Sequence, residues 1–147
     1  SQSENEKTEL NGSLRKFLST KKTWCASSTH NSEEKFCGSV HKVLKKKYKN
    51  LLTIVIPRHI ERVNQINDEF LSMNLKTIIR TSNKKINSST DIYLVNTYGE
   101  TNRFFNLSKI AFMGGSIINH GGQNPIEPAR FNLNILHGPN VQNFRDI

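Results

Sequence analysis

Strand-length apolar runs alternating with helix-period stripes predict an α/β domain, a Rossmann-like parallel sheet with helices on both faces. Two observations support this class. The longest apolar run, residues 51–56, has the length of a strand buried on both sides. Most of the unusual chemistry of the chain falls in five loops just after such runs, where ligands of open parallel sheets bind.

Leu10, Leu14, Phe17 and Leu18 share one face of a short first helix. Residues 24–28 read as a strand. Asn31 and Glu34 have capping-box spacing, and Glu33 and Glu34 suit a first turn. Behind them Phe36, Val40, Val43 and Leu44 stripe a helix that ends in Lys45, Lys46, Lys47 and Lys49. The lysine run 42–49 fits a solvated helix end better than a recognition patch. Residues 51–56 are the second strand, stopped by Pro57. Ile60, Val63, Ile66 and Phe70 mark the next helix, and residues 77–79 a short strand. Residues 81–90 are a Ser/Asn/Lys loop whose one apolar anchor is Ile86. Residues 92–95 form a strand, followed by a turn at Tyr98 and Gly99 and a short helix over 104–107. Residues 110–113 run as a strand into Gly114 and Gly115. The glycine-rich loop 119–123 leads to a helix start at 124–128, and Ile135 and Leu136 belong to a last strand.

A length of 147 residues fits one domain, and 35% hydrophobic residues supply a core. Twenty-one Lys and Arg against twelve acids give +9, which favours anionic partners: nucleic acid, acidic lipid or phosphorylated small molecules. Cys25 and Cys37 make no disulfide framework and read as reduced thiols of a cytoplasmic protein. No apolar run approaches the ~20 residues of a membrane span, and the chain opens on a polar stretch, so a soluble domain is expected.

Arg58 directly follows a buried strand, where a guanidinium faces the crevice and can fork onto phosphate or carboxylate. It reads equally as a solvated turn residue. Asn124-Pro125-Ile126-Glu127 follows two glycines and carries helix-start signals, an anion-binding arrangement if it opens on the crevice. Glu127 reads as a cap or as a grip on ribose hydroxyls. Gly99-Glu100 reads first as a helix start with its preferred acid. Gly114-Gly115-Ser116 fits neither a Walker A loop nor a dinucleotide fingerprint. The five histidines have no zinc spacing with the cysteines, so no metal and no cofactor is expected. Ser28-Thr29-His30 lacks a nucleophile-elbow context.

Taken in order, several motifs resemble a known family. They are Ser28-Thr29-His30 with Glu33-Glu34, Pro57-Arg58-His59 with Glu61-Arg62, and Thr97-Tyr98-Gly99-Glu100. Gly114-Gly115-Ser116, the unbroken block from His120 to Ala129, and Gly138-Pro139 with Asn143-Phe144 complete the series. From Trp24 onward the chain resembles the C-terminal half of 3-deoxy-D-manno-octulosonic acid (Kdo) transferase, and the block from His120 is the specific part.

The resemblance implies the C-terminal half of a GT-B glycosyltransferase, with residues 1–22 a polar lead and short helix. Residues 23–147 would be the Rossmann-like CMP-Kdo-binding domain, truncated at its C-terminal end as part of a longer protein. It implies nucleotide contacts at Pro57, Arg58, Tyr98, Gly99, Glu100, Asn124, Pro125, Ile126 and Glu127. It implies no catalytic residue in this chain, because the family's general base, a glutamate, belongs to the absent N-terminal domain; the chain alone is then expected to be inactive. The implied donor is CMP-Kdo and the acceptor a lipid A precursor in lipopolysaccharide biosynthesis, with inversion and no metal. The implied location is the cytoplasmic face of the bacterial inner membrane, with a membrane surface as a partner. Three positions depart from the pattern: Tyr98 stands where methionine is usual, Asn96 where aspartate is, and Ser32 where glycine is.

Two other readings compete. A GT-B domain for another nucleotide-sugar would differ in base selectivity. A basic nucleic-acid-binding module would bind with a steep salt dependence. Aromatics are not interleaved with the basic residues and no nucleic-acid motif appears, so no nucleic-acid partner is expected.

Overall fold

The computed structural model describes residues 11–107 and the backbone of two further strands. The chain order is α1 (Gly12–Ser19), β1 (Lys22–Thr29), α2 (Glu33–Lys47), β2 (Leu51–Pro57), a 3₁₀ turn (Ile60–Arg62) and α3 (Val63–Ser72). Then follow β3 (Thr77–Ile79), β4 (Ile92–Leu94), α4 (Thr101–Leu107), β5 (Ile110–Met113) and β6 (Asn134–Leu136). The six strands form one sheet in the order β3-β4-β2-β1-β5-β6, and every pairing is parallel. The α/β expectation and each expected strand hold to within two residues at either end.

Period-two alternation sorts the core onto two faces. Trp24, Ala26, Leu51, Val55, Ile92 and Leu94 pack with Cys37 and Val40 of α2 and Ile66 and Phe70 of α3. Cys25, Leu52, Ile54, Ile56, Tyr93 and Val95 pack with Leu18 of α1 and Phe104 of α4. Helices therefore cover both faces, and all of β2 is buried, as its unbroken apolar run requires. Ile86 packs against the second cluster and anchors the 81–90 loop as expected. Gly38 brings α2 close to the end of α3: a Cβ there would lie 2.9 Å from Met73 Cε and 3.0 Å from Leu75 Cδ1. Both cysteines are free and buried, and burial raises their thiol pKa values.

A polar pair of contacts crosses the first core. His41 of α2, 1% exposed, has Nδ1 2.7 Å from Thr53 Oγ1 and Nε2 3.2 Å from Asp91 Oδ1. The carboxylate selects the Nε2–H tautomer and leaves Nδ1 to accept from the threonine hydroxyl. Asp91 Oδ2 also accepts from the Lys76 amide at 2.8 Å, tying the starts of β3 and β4 together.

The start of α2 differs from the expected capping box. Its N-cap is Ser32, in the left-handed region at φ 74° and with no side-chain cap bond. Glu33, not Glu34, reaches back, its Oε1 accepting from the His30 amide at 2.7 Å. Glu34 turns away to pair with Arg62. The back-bond keeps the expected three-residue span but sits one residue earlier, from Glu33 to His30 rather than from Glu34 to Asn31.

Candidate functional site

The sheet order sets where a ligand can sit. The chain builds β1, β2, β4 and β3 on one side, then crosses through α4 to β5 on the other side of β1. Such a switch opens a crevice beyond the carboxyl ends of β1 and its neighbours.

Three described loops reach that end. The first is Ser28-Thr29-His30, where a register shift in the β1–β2 pairing puts Ser28 at φ 55°. A bulge at a strand end re-aims the chain as it leaves the sheet. The second is Pro57-Arg58-His59. The Arg58 amide donates to the Thr29 carbonyl at 2.9 Å, and the rings of His30 and His59 meet edge to face at 6.1 Å. The third, Thr97-Tyr98-Gly99-Glu100, joins β4 to α4.

Arg58 is exposed, and no described residue pairs with its guanidinium. Its neighbours in the same region are occupied. Arg62 donates Nη2 and Nη1 to the Glu34 carboxylate at 3.0 and 3.3 Å, and Arg80 and Arg103 both hold Glu100. A fixed backbone carrying an uncommitted guanidinium at a strand's carboxyl end is the geometry that receives a phosphate. Pro57, buried, supplies the rigid exit from β2.

Glu100 is built differently. Its carboxylate is largely covered, and Arg80 grips it with two parallel bonds, Nε to Oε1 at 2.6 Å and Nη2 to Oε2 at 2.7 Å. The Thr97 hydroxyl donates to Oε1 and Arg103 Nη1 to Oε2 at 3.2 Å. Burial alone would push this carboxyl up; the bonds from Arg80, Thr97 and Arg103 outweigh it and hold the pKa down to about 2. A carboxylate offers about four lone-pair sites, and all are taken. Glu100 therefore has no free acceptor for a ribose hydroxyl; what it offers a ligand is a fixed loop. Its carbonyl also accepts from the amides of Arg103 and Phe104, so the helix-start reading of Gly99-Glu100 holds.

Tyr98 is 81% exposed, and Gly99 sits at φ 76° with open space where a Cβ would point. An uncovered aromatic ring on such a turn is available to stack on a base. Asn124, Pro125, Ile126 and Glu127 lie outside the described residues, as do the loops after β5 and β6. The structure thus brings together Pro57, Arg58, Tyr98, Gly99 and Glu100 at one end of the sheet. Sequence reasoning missed Arg80 and gave Arg62 no role. The rule that singles out Arg58, a cation immediately after a strand, applies equally to Arg80 after β3.

Among the described residues no group of His, Cys, Asp or Glu is placed to hold a metal ion, and no helix is long and apolar enough to cross a membrane.

The all-parallel sheet, its topological switch beside β1 and helices on both faces define a Rossmann-like domain. No protein-family model matches the chain. It is 39% identical over 124 residues to a 3-deoxy-D-manno-octulosonic acid transferase of Haemophilus influenzae, covering 84% of this chain and 29% of the relative. It is 35% identical over 147 residues to the transferase of the same name in Rickettsia felis, covering 97% and 32%. The crystal structure of the C-terminal CMP-Kdo binding domain of WaaA from Acinetobacter baumannii superimposes with a TM-score of 0.75 at 30% identity, covering 88% of this chain and 69% of that one. This chain belongs to the 3-deoxy-D-manno-octulosonic acid transferase family, in its C-terminal domain. It spans about a third of the length of the curated relatives it matches.

Proposed function

We propose that this chain is the donor-binding half of a GT-B glycosyltransferase that moves Kdo from CMP-Kdo to a lipid A precursor in lipopolysaccharide biosynthesis. The observation that carries the reading is Arg58: exposed, unpaired among the described residues, and held by its amide at the carboxyl end of β2. Arg58 receives the CMP phosphate, and Tyr98, on its glycine turn, lies against the cytosine. Asn124, Pro125, Ile126 and Glu127 complete the nucleotide site: the Asn124 and Ile126 amides are donors, Pro125, which has no N–H, shapes the loop, and Glu127 takes the ribose.

The chemistry asks for these groups. Departure of CMP leaves an oxocarbenium-like sugar while negative charge grows on the phosphate. A guanidinium and fixed amide dipoles aimed at that charge stabilise it without reorganising at the moment of reaction. No metal is needed in this scheme. The base that takes the acceptor's proton comes from the N-terminal domain of the full-length protein. The enzyme works at the cytoplasmic face of the inner membrane, where a net charge of +9 suits an acceptor carrying lipid phosphates.

An amide chemical-shift titration with CMP, UMP and UDP tests the reading. Saturable changes for CMP at Arg58, Gly99, Asn124, Ile126 and Glu127, with weaker responses to the uridines, are expected. A preference for UDP would move the assignment to another nucleotide-sugar, and no response to CMP would overturn it.

A further inference from the structure

We infer that Arg80 is a positioning residue for the nucleotide, acting through Glu100 on the Thr97–Gly99 turn. The inference rests on the donor-binding reading and adds to it a side chain outside the resemblance.

Among the described residues, the tip of that turn carries few restraints of its own. Tyr98 projects into solvent, and among the described residues none beyond its chain neighbours comes within 4 Å of where a Gly99 Cβ would sit. Gly99 itself is in the left-handed region, so nothing in its own backbone preference rigidifies the loop. The restraint comes from beneath, through Glu100. Of that carboxylate's three partners, Thr97 belongs to the turn itself and Arg103 to α4, each three residues away in the chain. Arg80, just after edge strand β3 and twenty residues distant, ties the carboxylate to the far side of the sheet. A second tie, Asn96 Nδ2 to Thr81 Oγ1 at 2.8 Å, fixes only the loop's near end.

Arg80 is itself fixed from three sides. Its amide donates to the Leu94 carbonyl at 2.9 Å, Nη1 donates to the Tyr93 hydroxyl at 3.0 Å, and its guanidinium lies 5.4 Å from the Phe104 ring centroid. Edge strand β3 is thereby coupled through one planar group to β4, to α4 and to the turn that carries Tyr98. A lysine could supply the charge but not the two parallel bonds. Pre-ordering the turn spares the nucleotide the entropy of ordering it on binding.

The test uses the full chain with CMP as the probe. Arg80→Gln and Arg80→Lys are compared with the wild type by melting temperature, CMP affinity and amide shifts at Gly99 and Arg58. Both variants are expected to bind CMP at least tenfold more weakly at a temperature where they remain folded. At saturating CMP the shift change at Gly99 should be lost while that at Arg58 persists, a split that general loosening of the fold would not produce. Tyr93→Phe, which frees one Arg80 donor and leaves Glu100 its partners, serves if the Arg80 variants do not fold, and should weaken CMP binding about threefold. Wild-type binding with unchanged affinity and an intact Gly99 response in the folded variants overturns the role of Arg80 and leaves the donor reading standing. Absence of CMP binding by the wild type overturns the donor reading and this inference together.

Discussion

Arg62 closes a two-pronged ion pair on Glu34 across the mouth of the sheet, joining the loop after β2 to the start of α2. The glutamate side chain is fully covered and the arginine 18% exposed, so the pair lies beneath the surface rather than on it. With the Arg58–Thr29 backbone bond and the His30–His59 ring contact, it fixes the frame from which Arg58 projects. Glu34→Ala strands a guanidinium among covered groups. The expected loss is about 2–4 kcal/mol, near the range for breaking buried pairs rather than surface ones. Denaturant unfolding measures it, and a loss below about 0.5 kcal/mol would place the pair with ordinary surface contacts.

Ser32 caps α2 from the left-handed region, where a side chain is strained and glycine is not. Removing the Cβ from that conformation relieves ~1–2 kcal/mol, while glycine's freedom in the unfolded chain takes back ~0.4–1 kcal/mol. Ser32 makes no cap bond that glycine would forfeit. Ser32→Gly should therefore stabilise the fold by up to about 1 kcal/mol, visible as a raised melting temperature. A fall in that temperature would show that the strain is relieved elsewhere.

His41 gives the fold a pH dependence. Burial lowers its pKa below the ordinary 6.5, more than contact with Asp91 raises it, and Lys45 lowers it further. The unfolded chain then binds the proton more readily than the folded one. Stability contributed by neutral His41 is complete above pH 6.5 and is lost as pH falls below that value towards the folded pKa. Unfolding free energies between pH 7.5 and 5 should decline in the wild type, and the decline should be shallower in His41→Gln. Equal slopes would assign the dependence to other groups.

Most of the fold was legible in the sequence because strand and helix periods are local. β2, β3 and β5 stand where their apolar runs place them. The departures are side-chain pairings between residues far apart in the chain. Spacing alone joined Glu34 to Asn31, because it could not show that Arg62, 28 residues on, would face Glu34. Spacing likewise offered Glu100 as a helix-start acid but not the guanidinium that saturates it from β3. Arg58 was legible because its position depends only on where β2 ends; whether its charge is spent depends on every loop around it.

The turn that carries Tyr98 gives a prediction that separates backbone from contact. At φ 76°, Gly99 has no described neighbour beyond the adjacent residues within 4 Å of where a Cβ would sit, so an alanine there meets open space and is still strained. Gly99→Ala should cost about 1–2 kcal/mol if the turn keeps its shape. If the turn instead relaxes, stability is largely retained, the Tyr98 ring shifts and CMP binding weakens. In both cases Arg58→Ala, which leaves the turn intact, should weaken CMP binding by about 1.5–3 kcal/mol, the range for bonds to charged groups. Calorimetric titration of the two variants beside the wild type distinguishes these terms. Unchanged CMP affinity in Arg58→Ala would remove that guanidinium from the phosphate site, and unchanged stability and affinity in Gly99→Ala would remove the backbone constraint from the turn.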